Sequence, residues 1–111
     1  MIPNSFCIGG GKVFNVEIVD NIDHKNYGDF SDAESLIRIA KTITVDGKEI
    51  EISEEDRFRT YLHELIHCFN WMYNCEWDEA LAQTFSNFLY EYLKTRKWWF
   101  ILLLLKMNVD I

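Results

Sequence analysis

His63 and His67 stand four residues apart, and Glu64 directly follows the first of them. On an α-helix, positions i and i+4 lie about 40° apart around the axis and one turn apart along it. Two imidazoles so placed can converge on one ion. Zn²⁺ accepts neutral imidazole nitrogen, and a catalytic zinc site leaves one of its four positions to water. Glu64 sits where it can reach that water. The chemistry such a pattern suits is metal-assisted hydrolysis of a peptide bond, with the metal polarising the carbonyl and acidifying the water. Glu64 then acts as general base and returns the proton to the leaving amine.

Two histidines leave a third protein ligand to be found. A metzincin would carry Gly and a third His further along the same helix, where this chain has Asn70 and Tyr73, so that mode of ligation is excluded. The remaining histidine, His24, lies far upstream in a polar stretch. The acids that follow the motif are Glu76, Asp78 and Glu79. If the motif helix ends near Asn74, His67 stands about 10 Å before the turn. A residue three to four positions into an antiparallel second helix returns to that level, which favours Glu79 over Glu76. Asp78 is the natural N-cap of that helix. Glu79 and Gln83 also share a face distinct from Leu81, Phe85 and Phe88.

These side chains need elements to hold them. Ser53-Glu54-Glu55-Asp56 reads as a helix start, with Ser53 as cap and an acid three residues on. Phe58, Leu62, Leu65, Ile66, Phe69 and Met72 then recur at helical spacing, an apolar stripe that faces a core. Asn74, Cys75 and Glu76 form a turn. A second helix is predicted over about 77–96, its core stripe read as Leu81, Phe85, Phe88, Leu89 and Tyr92, with Lys94, Arg96 and Lys97 suiting its C-terminal dipole. Trp71 and Trp77 are expected to pack around the turn between the helices. Upstream, Gly9-Gly10-Gly11 signals a turn. Residues 12–20 alternate in the period of a half-buried strand, 20–34 read as a loop, and 36–40 as a short strand. Thr42–Val45 and Lys48–Ile52 flank Asp46-Gly47, a type I′ hairpin signal. Strands first and helices second predict one α+β domain over 1–111: a small twisted, mostly antiparallel sheet packed on two main helices, with the metal site between the helices.

The stretch His63-Glu64-Leu65-Ile66-His67 followed by Glu79-Ala80-Leu81-Ala82-Gln83-Thr84-Phe85 resembles the compact zincin-like proteases of phage and mobile elements, of the ImmA/IrrE type. There a Glu opening an E-x-x-A-N-x-F stretch is the third zinc ligand; Glu79, Ala82 and Phe85 match, and Gln83 stands in for the Asn. The resemblance covers about residues 36–92. It implies a zincin-like fold, one Zn²⁺ held by His63, His67 and Glu79, Glu64 as catalytic base, and an edge strand able to hold an extended peptide. The interval between His67 and Glu79 is short, and no helix-turn-helix unit is attached.

Composition bounds the partners. The formal net charge of −7 disfavours a broad nucleic-acid surface. Cys7, Cys68 and Cys75 are an odd set without a secretory signal before them, which predicts free thiols in a reducing cytoplasm. Cys68 points about 100° away from His67 on the helix and reads as a core thiol. The longest apolar run, Trp98 to Leu105, is far short of the about 20 residues a membrane span needs. It reads as a buried element or a self-association surface. The expected partner is a peptide or protein substrate. The alternative function is a non-enzymatic zincin scaffold that holds a partner protein, which a chain of 111 residues would suit but an intact Glu64 would not need.

Overall fold

A computed structural model describes residues 2–95. The apolar run Trp98–Leu105, and with it the expected self-association surface, lies outside the described residues. Six strands precede two helices: β1 (Ser5–Ile8), β2 (Lys12–Val19), β3 (Gly28–Ser31), β4 (Leu36–Ala40), β5 (Thr42–Val45), β6 (Lys48–Glu51), α1 (Glu54–Met72) and α2 (Glu79–Thr95). The α+β class follows from this order.

The main sheet has the order β1-β2-β4-β3, and β5-β6 form a separate hairpin. β2 and β4 pair in parallel at the centre, while β1–β2, β3–β4 and β5–β6 are antiparallel. Asp46 and Gly47 both take positive φ, as a type I′ turn requires. The inward face of the sheet is built by alternation: Phe14 and Val16 on β2 and Ile37 and Ile39 on β4 are buried. Tyr61 of α1 joins Val16, Ile37 and Ile39 in the core, with Phe58 and Leu65 packed against them.

Ser53 caps α1, its side chain accepting from the Asp56 backbone N–H at 3.1 Å. At the other end Tyr73 N–H donates to the Phe69 carbonyl, and Asn74 enters the left-handed region, which turns the chain. Asp78 caps α2 through the Leu81 N–H at 2.8 Å.

The packing departs from expectation in three ways. Two strands, β1 and β3, form where no strand was expected, and β3 falls within the polar stretch 20–34. The two helices do not share the sheet: α1 lies against β3 and β4, and α2 packs on α1. The face of α2 turned to α1 carries Ala82, Ser86 and Tyr90, all buried, whereas the expected core residues Leu81, Phe85, Phe88 and Tyr92 are exposed. Small side chains at Ala82 and Ser86 let the two helices approach closely. The larger apolar residues then fall on the opposite flank.

Candidate metal centre

α1 supplies His63, Glu64 and His67 from one stretch, and α2 returns antiparallel to bring Glu79 to the same level. His67 Nε2 lies 3.1 Å from His63 Nε2. Glu79 Oε1 lies 3.0 Å from His67 Nε2, and Glu79 Oε2 lies 3.0 Å from His63 Nε2. The imidazoles meet edge to face with centroids 4.8 Å apart. Among the described residues these three side chains are the group whose ligand atoms gather closely enough for one metal ion. His24 is elsewhere, its Nδ1 paired with Thr44 Oγ1 at 2.8 Å. Asp78 is used as the α2 cap, and Glu76 is exposed in the turn.

The chemistry of this triangle tests whether a cation fits. Two Nε2 atoms and one carboxylate make three short edges. The two nitrogens carry at most one proton each, so every protonation pattern leaves at least one edge without a hydrogen bond. A cation between the three atoms satisfies all of them at once. Tetrahedral zinc with bonds of about 2.0–2.1 Å places its ligand atoms about 3.3 Å apart, slightly wider than the edges here. The residues fit the ion. His63 Nδ1 is buried with no hydrogen-bond partner among the described residues, so the ring is held by its packing and by its Nε2 contacts.

Glu64 is buried, with 6% of its surface exposed, yet it lines the cleft on both sides of the triad. Burial first, then the negative charges of Glu79 and Asp29, push its pKa up to about 8. A divalent cation among its neighbours would act in the opposite direction and favour the carboxylate.

Two cavities flank the triad and share Asn26, Gly28, Glu64 and Glu79. One, of about 470 Å³, is lined further by Asp29, Phe30, Asp32, His67 and Trp71. The other, of about 460 Å³, adds Tyr27, Arg59, Thr60, His63, Gln83 and Asn87. β3 forms the wall opposite α1. It is a terminal strand of the sheet, so among the described residues one of its backbone edges is unpaired. A Cβ at Gly28 would stand 2.5 Å from Thr60 Cγ2 and 2.9 Å from the Arg38 carbonyl, so glycine is what lets β3 lie this close to α1. Arg38 pairs with Asp29 directly across β3–β4, through both guanidinium Nε and Nη2, which steadies the strand.

Several cleft residues were not readable as such from the sequence. Asn26, Gly28, Asp29 and Phe30 lie in the stretch 20–34, which reads as a loop. Trp71, expected at the interhelical turn, instead packs toward the sheet, with its ring 6.2 Å from both Phe14, edge to face, and Phe30. Trp77 does pack at the turn, against Phe69 and Phe85. Of the tyrosines, Tyr27 reaches the cleft, Tyr61 is in the core and Tyr73 is exposed. All three cysteines are free, and Cys68 is fully buried as a core thiol.

No helix among the described residues is long and apolar enough to cross a membrane. The chain has no significant match to any protein-family model, curated protein or solved structure.

Proposed function

We propose that this chain is a zinc-dependent peptidase with a zincin-like site, in which His63, His67 and Glu79 hold one Zn²⁺ and Glu64 is the catalytic base. The observation that carries the reading is the three-edged contact of His63, His67 and Glu79, which no arrangement of protons satisfies and a cation does. A bound zinc would polarise a substrate carbonyl and acidify a water. Glu64, beside the first ligand and opening onto the cleft, takes the proton of the attacking water and passes it to the amine that leaves. Its burial keeps the carboxyl out of bulk water, which raises its basicity for that task.

The free edge of β3 along the cleft supports an extended peptide as substrate, added to the sheet as a further strand by main-chain hydrogen bonds. Side chains on the two sides of the scissile bond would then meet different walls: Phe30, Trp71 and Asp32 on one, Gln83, Asn87 and Tyr27 on the other.

The test is metal content together with turnover of a peptide library, in wild type and Glu64→Gln. The expected result is one zinc per chain in both proteins, with turnover about 10²–10⁴-fold lower in the variant. A chain that stays metal-free in excess zinc, with all three ligands intact, would sink the zinc centre. Zinc binding without turnover of any peptide would leave a scaffold that holds a partner protein.

A further inference from the structure

The cleft is rich in acids, and a single cation stands in it. Among the described residues that line its two cavities, Arg59 is the one lysine or arginine. It lies four residues before His63 on the same face of α1, about 6 Å further along the groove from the triad. Its guanidinium lies over the ring of Tyr90, with Cζ 4.3 Å from the centroid, and Tyr90 is itself buried. That stack fixes the plane of the group and uses none of its N–H donors. The guanidinium makes no hydrogen bond among the described residues: Nε is buried without a partner, and Nη2 stands 3.7 Å from Glu91 Oε1, beyond hydrogen-bond reach. Both side chains of that pair are well exposed, so the attraction is weak and screened. Across the groove, Gln83 donates to Asn87 Oδ1 at 3.1 Å, which leaves both amide N–H groups of Asn87 unpartnered among the described residues. A planar fork of donors held flat, with an amide donor opposite, suits a carboxylate. Asp56, Glu64 and Glu79 line the same cavity, so a carboxylate is retained there only by direct bonds to these donors.

We propose that Arg59, assisted by Asn87, is a specificity residue that binds a carboxylate of the peptide substrate, about two residues beyond the scissile bond on its C-terminal side. The inference rests on the peptidase reading above. Position and direction both follow from the cleft. Tyr27 lies in the cavity of Arg59, whereas Phe30 and Asp32 lie in the other, so β3 runs from the Arg59 cavity toward the Trp71 cavity. A peptide paired antiparallel to β3, the more stable pairing per residue, runs the opposite way. The residues after its scissile bond therefore enter the Arg59 cavity. An extended chain advances about 3.3 Å per residue, so about two residues cover the turn of helix from His63 to Arg59. The carboxylate is supplied by the C-terminus of a short leaving fragment or by an acidic side chain at that place.

The experiment uses the full chain loaded with zinc and a peptide library whose cleavage sites are mapped by mass spectrometry. Matched peptides are then made in two arms. One compares free C-terminal acids with C-terminal amides of the same sequence; the other compares Glu with Gln two residues after the cleaved bond, in amidated peptides. The expected result is a preference of about tenfold or more in kcat/KM for the carboxylate. A preference in the first arm assigns the chain terminus, and in the second an acidic side chain. The ratio should fall to about one in Arg59→Met, which keeps an unbranched chain over Tyr90. Calorimetric affinities of Glu64→Gln for the same pairs should show the same preference without turnover. Asn87→Asp, at an exposed position that leaves the Tyr90 stack intact, should lower the ratio several-fold through like-charge repulsion. Equal treatment of both members in both arms, a preference that survives Arg59→Met, or an unchanged ratio in Asn87→Asp would overturn the proposal while leaving the peptidase reading in place. Failure to bind or cleave any peptide would overturn both.

Discussion

Glu79 Oε1 lies 3.0 Å from His67 Nε2 although the two residues belong to different helices. The contact exists because α1 ends at Met72, the chain reverses through Asn74, and Asp78 caps α2 one residue before the carboxylate. Glu79→Ala and His67→Ala should therefore each lower zinc affinity by about 100-fold or more, since each removes one of three protein ligands. Competition against a chromophoric chelator measures this. Glu76→Ala and Asp78→Asn should leave affinity within a few-fold, because neither side chain belongs to the triad. Equal losses in all four variants would mean that the turn, rather than the Glu79 carboxylate, governs binding.

Glu64 predicts a pH signature in the metal-free protein. Its folded pKa of about 8 stands above the ordinary value of 4.5. Below about pH 4.5 both folded and unfolded chains hold the proton, and the stabilising contribution of the neutral carboxyl is complete. Between about 4.5 and 8 the unfolded chain releases its proton while the folded chain retains it, so stability falls as pH rises. Glu64→Gln cannot titrate and lacks this contribution. Thermal melts at pH 5 and pH 8 should show the wild type losing roughly 5 °C or more beyond the loss in the variant. Parallel losses in the two proteins would show that Glu64 is not the group responsible.

Much of this architecture was legible where periodicity is strong. β2, β4, the Asp46-Gly47 hairpin and both helices fall close to where alternation, turn chemistry and capping put them. β3 was not legible, because Gly28, Asp29 and Ser31 are poor strand formers and the pairing that makes them a strand comes from β4. That omission removed one wall of the cleft from view. The inner face of α2 was misassigned for a different reason. Hydrophobicity ranked Leu81, Phe85, Phe88 and Tyr92 above Ala82 and Ser86, yet helices that must bring Glu79 to two histidines pack through small residues. The phase of Ala82 and Ser86 with Glu79 was the signal that would have corrected it.

Gly28 couples the cleft wall to α1. A methyl group there meets Thr60 Cγ2 at 2.5 Å, the Arg38 carbonyl at 2.9 Å and Glu64 Cγ at 3.4 Å. Gly28→Ala should destabilise the fold by about 1–3 kcal/mol and displace β3 from α1, lowering peptide turnover more than zinc affinity. Adding Thr60→Ser removes the nearest atom but not the backbone carbonyl. The double variant should therefore regain only part of the lost stability in denaturant titrations. Full recovery would locate the whole strain at Thr60.

The α1–α2 contact sets the position of Glu79. Ala82 is fully buried between the helices, and it lies one helical turn after Glu79. Ala82→Leu inserts three carbon atoms into that contact and should cost about 1–3 kcal/mol of stability. Because α2 can relieve the overlap by moving off α1, carrying Glu79 with it, zinc affinity should fall together with stability. Thr84→Leu places the same side chain on an exposed position of the same helix and should change neither quantity appreciably. Isothermal titration with zinc and thermal melts on both variants separate these outcomes. If Ala82→Leu lost stability while zinc affinity stayed at the wild-type value, Glu79 would be held in place by its own turn and cap, and the close helix packing would serve the fold alone.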